Sequence, residues 1–330
     1  MTKIKEIRTG VIGVGSMGQN HARVYSEISD LTSVSDPNEK QGKRVAKRFG
    51  AKYFPNFEDM LSEVDAVSIS VPTSLHEKVS KRVAEAGVNM LVEKPLAHSS
   101  LAAQKIIDVA AKNGVVLAVG HIERFNEVVA YAKEAVSNKK WGNIISLSAN
   151  RFSNYPSRIN DVGVLFDLTI HDVDIIRSFA NSEVTSVSVI GGKYNNKVHE
   201  DYVNLSLSFE DGKIGQCQTN WLTPMKVREL NLITTNSFVN MNYINQEILQ
   251  LKSNFIDLNE ANLYDSQLEV NESRIRLKGK EPLKLELSNF LESIIQKTEP
   301  TVPGIEGLKA VQIVEAGLES LLNNKVISLK

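Results

Sequence analysis

The chain changes its hydrophobic rhythm once. Through residue 121, short apolar runs at 9–14, 31–35, 66–71, 89–92 and 115–120 alternate with segments of helical spacing at 39–49, 75–86 and 99–112. A short strand at 51–54 and a short helix at 56–62 belong to the same series. Apolar runs separated by helices predict a parallel sheet covered on both faces, with any ligand at the carboxyl ends of its strands. After His121, segments 126–137 and 164–179 read as helices and 143–151 as a strand. Strands then follow in succession at 184–190, 203–209, 213–218, 230–234 and 237–241. The alternation in Val203-Asn204-Leu205-Ser206-Leu207-Ser208-Phe209 predicts a large open, mostly antiparallel sheet with one covered face. Gly191-Gly192 and Glu210-Asp211-Gly212 suit hairpin turns, and 283–296 and 305–322 read as closing helices. The expected class is α/β: a doubly wound parallel domain over 1–122, then a second domain over 123–330 whose last helix is free to return to the first. A bare sheet face is normally buried by self-association, here as a homodimer or homotetramer.

The first apolar run leads into Gly13-Val14-Gly15-Ser16-Met17-Gly18, a helical pattern follows, and the second run ends at Asp36. Strand, Gly-x-Gly-x-x-Gly, helix, strand and an acid about 20 residues on form the dinucleotide fingerprint of a Rossmann domain. Gly13 permits the turn, Gly15 lets backbone approach a pyrophosphate, and Gly18 lets the helix settle on the strand. The first-turn N–H groups, at Ser16 and Met17, receive the phosphate oxygens. The glycines alone are open to a plainer reading as a turn without a ligand; the strand, helix and acid around them favour a cofactor. Asp36 accepts from ribose hydroxyls and repels a 2′-phosphate, and Pro37-Asn38-Glu39 offers no arginine to neutralise one. The expected cofactor is NAD.

A length of 330 residues suits two domains, and 42% hydrophobic with 23% charged residues is ordinary globular composition. A formal net charge of −1 gives no field that draws the chain to nucleic acid or an anionic membrane. One cysteine, Cys217, rules out an intrachain disulfide and fits a reducing compartment. No apolar run approaches the ~18 residues of a membrane span, and the first residues lack the apolar core of a signal peptide. A cytoplasmic location and a small-molecule substrate are expected.

The fifth run ends in Glu93-Lys94-Pro95-Leu96, at the mouth where a nicotinamide would lie. Burial and helix dipoles there can lower a lysine's pKa, and Pro95, in a trans or a cis bond, fixes the backbone that aims Lys94. A surface ion pair closing a strand is the competing reading. Further on, Asp167 and His171 stand four apart on a helix and share a face, with Asp174 on a similar side and Asp172 elsewhere. A carboxylate beside an imidazole tunes a base that works near neutral pH. A capped or salt-bridged helix and a metal site are the alternatives; no third ligand of suitable spacing appears, so no metal is expected.

Together these segments resemble the Gfo/Idh/MocA family of NAD(P)-dependent sugar and cyclitol oxidoreductases. Four motifs in order carry the resemblance: Gly10-Val11-Ile12-Gly13-Val14-Gly15-Ser16-Met17-Gly18 with His21, Val71-Pro72-Thr73-Ser74-Leu75-His76, Glu93-Lys94-Pro95-Leu96, and Asp167-Leu168-Thr169-Ile170-His171-Asp172-Val173-Asp174. Thr169 departs from the glycine of many members. The resemblance implies catalytic roles for Lys94, Asp167 and His171, and cofactor contacts from Val71, Pro72, Thr73, His76, Glu93 and Lys94. It implies oxidation of a secondary alcohol, Lys94 or His171 taking the hydroxyl proton while hydride passes to the nicotinamide.

Residues 121–126 and 220–230 are similar to members that act on nucleotide-diphosphate sugars, particularly UDP-N-acetylglucosamine 3-dehydrogenases. That similarity implies a 3-keto nucleotide sugar as product, feeding diamino-sugar synthesis. A diphosphate calls for cationic donors, and Arg124, Arg151, Arg158 and Arg228 are candidates, with Asn126 beside them. Trp221 or Tyr155 is a candidate to stack on uracil or sugar. Each has a structural alternative, the arginines as surface charge and Trp221 as core. An inositol or free-hexose dehydrogenase is the alternative activity, and a non-catalytic NAD- or sugar-sensing protein the alternative of another class.

Overall fold

The computed structural model describes residues 4–156, 162–257 and 267–329. They form two units, Met1–Phe125 with Lys280–Glu315, and Asn126–Gly279 with Ala316–Lys330. A single cut after residue 122 therefore does not divide the chain, because residues from its last third return to the first unit.

The first unit begins with β1 (Arg8–Ile12), α1 (Ser16–Ile28), β2 (Asp30–Ser35), α2 (Glu39–Phe49) and β3 (Lys52–Phe54). It continues with β4 (Ala66–Ile69), α3 (His76–Glu85), β5 (Asn89–Glu93), α4 (Ser100–Asn113) and β6 (Leu117–Gly120). Six strands lie in the order β3-β2-β1-β4-β5-β6, all parallel. The order reverses between β1 and β4, where such sheets bind ligands. Successive residues feed two cores: Val11, Ala66, Leu91 and Ala118 point into one, Ile12, Ile69, Val92 and Val119 into the other. Burial on both faces is the reason these strands read as unbroken apolar runs.

The second unit carries α5 (Glu127–Ser137), β7 (Ile144–Phe152), α6 (Ile170–Ala180), β8 (Val184–Gly192), β9 (Tyr202–Phe209) and β10 (Ile214–Asn220). Then come β11 (Val227–Thr234), β12 (Phe238–Asn242), β13 (Glu247–Asp257) and β14 (Gln267–Arg276); α7 (Pro282–Gln296) and α8 (Gly304–Asn323) up to Glu315 belong to the first unit, and β15 (Ile327–Ser328) closes the second. Nine strands lie in the order β14-β13-β12-β11-β7-β10-β9-β8-β15, antiparallel except for the β7–β10 pair. Leu147, Leu205, Leu207, Cys217, Leu230 and Leu232 are buried on the face that α6 covers. Between them along the same strands, Ser148, Asn150, Ser206, Gln216, Gln218 and Asn231 lie on the opposite face, which also carries the acid Glu229 and the exposed Tyr202, Ile214, Ile233 and Phe238.

Two expectations are corrected, and one element was not foreseen. Gly191 and Gly192 make no hairpin turn; they are the last residues of β8, paired with Val203 and Tyr202. The helix expected over 164–179 is divided, a π turn at Leu165–Thr169 preceding α6. The β13–β14 hairpin was not expected. No helix among the described residues is long and apolar enough to cross a membrane.

Candidate active site

In the first unit, β1 delivers the glycine loop to α1. Gly13 has a φ of 84°, and a Cβ there would lie 2.8 Å from the Ser70 carbonyl oxygen. A Cβ on Gly18 would collide with the Gly13 carbonyl. The protein's own backbone dictates both. Gly15 differs, because a Cβ there would meet no described atom within 4 Å. Its open side lies at the N-terminus of the 13-residue α1, whose first-turn N–H groups at Ser16 and Met17 sit at the positive end of the helix. That space fits a docking pyrophosphate.

Asp36 faces this loop. Its Oδ2 accepts the Val14 N–H at 2.8 Å and its Oδ1 the Asn38 N–H at 2.8 Å. Two oxygens so held keep lone pairs for ribose hydroxyls. The nearby cations turn away: Lys43 pairs with Glu39, and Arg44 donates to Gln19 and Gln41.

His76 ties the two following loops together. Its ring is 1% exposed, with Nδ1 3.0 Å from the Pro95 carbonyl oxygen and Nε2 3.0 Å from that of Val71. Burial holds this imidazole below its ordinary pKa, against the carbonyls of Val71, Pro95 and Leu96 that raise it. A neutral ring carries one N–H and so donates to one loop at a time. Val71 and Thr73 are half-buried and Pro72 is exposed. The Lys94–Pro95 bond is cis, and Lys94 is half-buried.

Glu93 faces inward. Its Oε1 lies 2.8 Å from His21 Nε2, His21 Nδ1 lies 2.8 Å from Ser68 Oγ, and Ser68 Oγ meets the Tyr25 hydroxyl at 2.9 Å. Oε2 accepts the Lys94 N–H at 3.2 Å, so the carboxylate braces the strand end that carries Lys94. Burial pushes the Glu93 carboxyl up, but the hydrogen bond with His21 and the Lys94 charge more than reverse this and hold it below its ordinary value. Glu286 of α7 is the counterexample: 2% exposed, with neither oxygen hydrogen-bonded. Burial, and then the charge on Glu93, push its carboxyl well above the ordinary range and favour its protonated form.

In the second unit, Asp167, Leu168 and His171 are the residues between 163 and 177 that are not buried. The π turn is marked by Thr169 Oγ1 donating to the Val164 carbonyl at 3.2 Å, five residues back. Such turns are frequent at functional sites. Asp172 and Asp174 are both buried. Arg151 of β7 donates from Nε to both Asp172 oxygens at 3.0 Å and from Nη2 to Oδ1 at 2.9 Å. The arginine expected at a substrate diphosphate is thus committed to an internal ion pair, which it could leave only by stranding a buried carboxylate.

The remaining candidates are spread between the two units. Arg124 pairs with Glu306 at 2.8 Å. Asn126 caps α5, accepting the Val128 N–H at 3.3 Å, and accepts from Gln246 at 2.9 Å. Tyr155 and Trp221 meet edge to face, ring centroids 5.8 Å apart at 81°, and Trp221 is buried. Arg228 is exposed on β11, in register with Arg151. Arg158 lies outside the described residues. Lys94 belongs to the first unit, Asp167 and His171 to the second. Glu200, Asp201 and Glu286 escaped the sequence reading because buried acids carry the same letters as solvated ones.

Residues 7–121 match the family model of an oxidoreductase family with an NAD-binding Rossmann fold, and residues 129–238 match the Gfo/Idh/MocA C-terminal domain. The chain belongs to the Gfo/Idh/MocA family. It is an NAD-dependent oxidoreductase acting on a CH–OH group. It is 28% identical to UDP-N-acetylglucosamine 3-dehydrogenase of Acidithiobacillus ferrooxidans, over 96% of this chain and 98% of that one. It is 26% identical to scyllo-inositol 2-dehydrogenase (NAD+) of Bacillus subtilis, over 98% of this chain and 96% of that one. The solved structure of the Acidithiobacillus enzyme superposes with a TM-score of 0.87 at 26% identity, covering 96% of this chain and 97% of that one. Levoglucosan dehydrogenase in complex with NADH shares the fold, with a TM-score of 0.86 at 18% identity, covering 98% of this chain and 99% of that one.

Proposed function

We propose that this oxidoreductase converts the 3-hydroxyl of a UDP-N-acetylhexosamine to a ketone, a UDP-N-acetylglucosamine 3-dehydrogenase activity whose product would feed diamino-sugar synthesis. The observation that carries the reading is the likeness to the Acidithiobacillus enzyme across nearly the whole of both chains. Tyr155, Trp221 and the exposed Arg228 supply groups of the kind that stack on a ring and pair with a phosphate. The likeness to the Bacillus enzyme over 98% of this chain favours inositol as the second reading.

NAD, when bound, accepts the hydride from the carbinol carbon. The chain holds the alcohol and takes its proton. Asp167 and His171 supply a carboxylate and an imidazole from the open side of a helix otherwise buried, a pairing suited to a base near neutral pH. Lys94, on a strand end braced by Glu93, is the other candidate for that proton.

The test offers NAD with UDP-N-acetylglucosamine, scyllo-inositol or myo-inositol to the purified protein and follows NADH formation. Reduction with the nucleotide sugar and not with the inositols supports the first reading; the reverse order supports the second. Lys94→Ala and His171→Ala should each lower turnover by orders of magnitude with NAD binding retained, and the variant whose residual activity loses the parent's dependence on pH identifies the base.

We further read the face of the nine-stranded sheet opposite α6 as the surface on which copies of this chain meet as a homodimer or homotetramer. Its exposed Ile214, Ile233 and Phe238 are apolar surface that a second copy would cover, and its hydroxyls and carboxamides can pair across such a contact. A monomer in light scattering at micromolar concentration would contradict this. The buried thiol of Cys217 and the absence of a long apolar helix among the described residues suit a cytoplasmic enzyme.

A further inference from the structure

Two consecutive carboxylates, Glu200 and Asp201, are buried at 5% and 0% exposure just before β9, and both face backbone N–H groups. A buried carboxylate stays charged only where hydrogen bonds or opposite charges offset its lost hydration. Glu200 reaches the start of the helix that carries Asp167 and His171. Its Oε1 accepts the Leu165 N–H at 3.0 Å and its own carbonyl accepts the Val164 N–H at 3.0 Å. Those are first-turn donors with no partner inside the helix, at the end where a negative charge is favoured. The carboxylate lies so close over Gly163 that a Cβ there would collide with it. Any side chain at 163 would therefore displace the Glu200 carboxylate from its place.

Asp201 works in the other direction. Its carboxylate accepts the N–H groups of Tyr194 at 2.9 Å, Asn195 at 2.6 Å and Asn196 at 3.0 Å. Asn196 so placed donates from Nδ2 to the Tyr155 hydroxyl at 2.9 Å, and Tyr155 stands edge to face with Trp221. The Asp201 carbonyl accepts the Trp221 N–H at 2.9 Å, so one residue fixes both members of the aromatic pair.

We propose that Glu200 and Asp201 are positioning residues, Glu200 setting the helix start that orients Asp167 and His171, Asp201 setting the seat of Tyr155 and Trp221. The proposal deepens the functional reading above and rests on it for the roles of those four residues. Because the two acids are adjacent, proton handling and ring recognition are built from one short segment, yet each acid touches only one of them. Their substitution must therefore have separable effects.

The test is stopped-flow single turnover of the full enzyme with NAD and UDP-N-acetylglucosamine, or with whichever polyol the wild type oxidises. The rate constant of NADH formation reports the chemistry, and the amplitude counts competent molecules. Glu200→Ala should lower the rate constant by on the order of a hundredfold, the scale of a small misplacement of catalytic groups, with the amplitude retained. Glu200→Gln, whose oxygen still accepts the Leu165 N–H, should recover most of the loss. Gly163→Ala should reproduce the defect with the carboxylate intact. Asp201→Asn should raise the KM for substrate about tenfold and leave the rate constant at saturation unchanged, an interaction of uniform binding.

Loss of amplitude at an unchanged rate constant in Glu200→Ala, or a fall in the saturating rate in Asp201→Asn, overturns the proposal, because either would mark a general folding role. Wild-type silence toward every sugar and inositol would sink the substrate reading alone. Hydrogen exchange then decides the inference: Glu200→Ala should lose protection at Leu165 and its neighbours with the sheet amides unchanged, and full protection there would refute it.

Discussion

Arg151 grips both carboxylate oxygens of Asp172 where their side chains are 2% and 3% exposed, and Asp172 is the neighbour of His171. Removing either partner takes the paired charge from a group that stays buried, a loss of about 3–5 kcal/mol. Arg151→Met and Asp172→Asn should each destabilise on that scale in denaturant melts. The double variant should lose far less than the sum, since neither charge then remains. Strict additivity would show that the pair does not act as a unit.

Glu286 makes stability depend on pH with an unusual sign. Its folded-state pKa lies above the unfolded one, so the native chain holds a proton that the unfolded chain releases. The stability it permits is full below the unfolded pKa and declines as pH rises toward the folded one. Glu286→Gln keeps the shape of the protonated acid, so it should melt higher than the parent at about pH 8 and converge with it at about pH 4. Glu93, held low, has the opposite dependence: its contribution is present above the unfolded pKa and lost as pH falls through the folded one.

Asp36→Ala removes a carboxylate that braces Val14 and Asn38 and faces the ribose position. Hydrogen bonds to a charged group are worth about 1.5–3 kcal/mol each, so NAD affinity should fall by at least one such bond. Fluorescence titration should also show NADP gaining relative to NAD, because the repulsion of a 2′-phosphate is gone.

His76→Leu fills the same volume without tying either loop. The KM for NAD should rise about tenfold, the cost of roughly one net hydrogen bond, while His76→Asn, which can still reach one carbonyl, should lie between. Unchanged kinetics in His76→Leu would show that the Val71 and Pro95 loops hold themselves.

Much of this was legible because the first sheet is buried on both faces and prints continuous apolar runs into the sequence, while the second is buried on one and prints an alternation. The β13–β14 hairpin was not, for the same reason: residues 269–274 of β14 are all exposed, so no apolar period exists to read, and the backbone ladder to β13 holds the strand. The glycine loop, Asp36 and the Lys94 strand end were legible because each sits in a local context of strand and turn. The ion pair of Arg151 was not legible because an arginine on a covered strand face looks, in sequence, like any other. Its partner lies 21 residues away, a separation with no periodic signature. Glu200 escaped for a related reason, since it caps a helix 35 residues upstream.

Leu287, Phe290 and Leu291 of α7 share one apolar layer with Val11, Leu91 and Ala118 of the first sheet. A ribosome releases the sheet well before that helix. Until then the nascent cofactor-binding half stands with part of its greasy underside uncovered, a natural client for chaperones. Messages truncated before the α7 codons should therefore yield insoluble product.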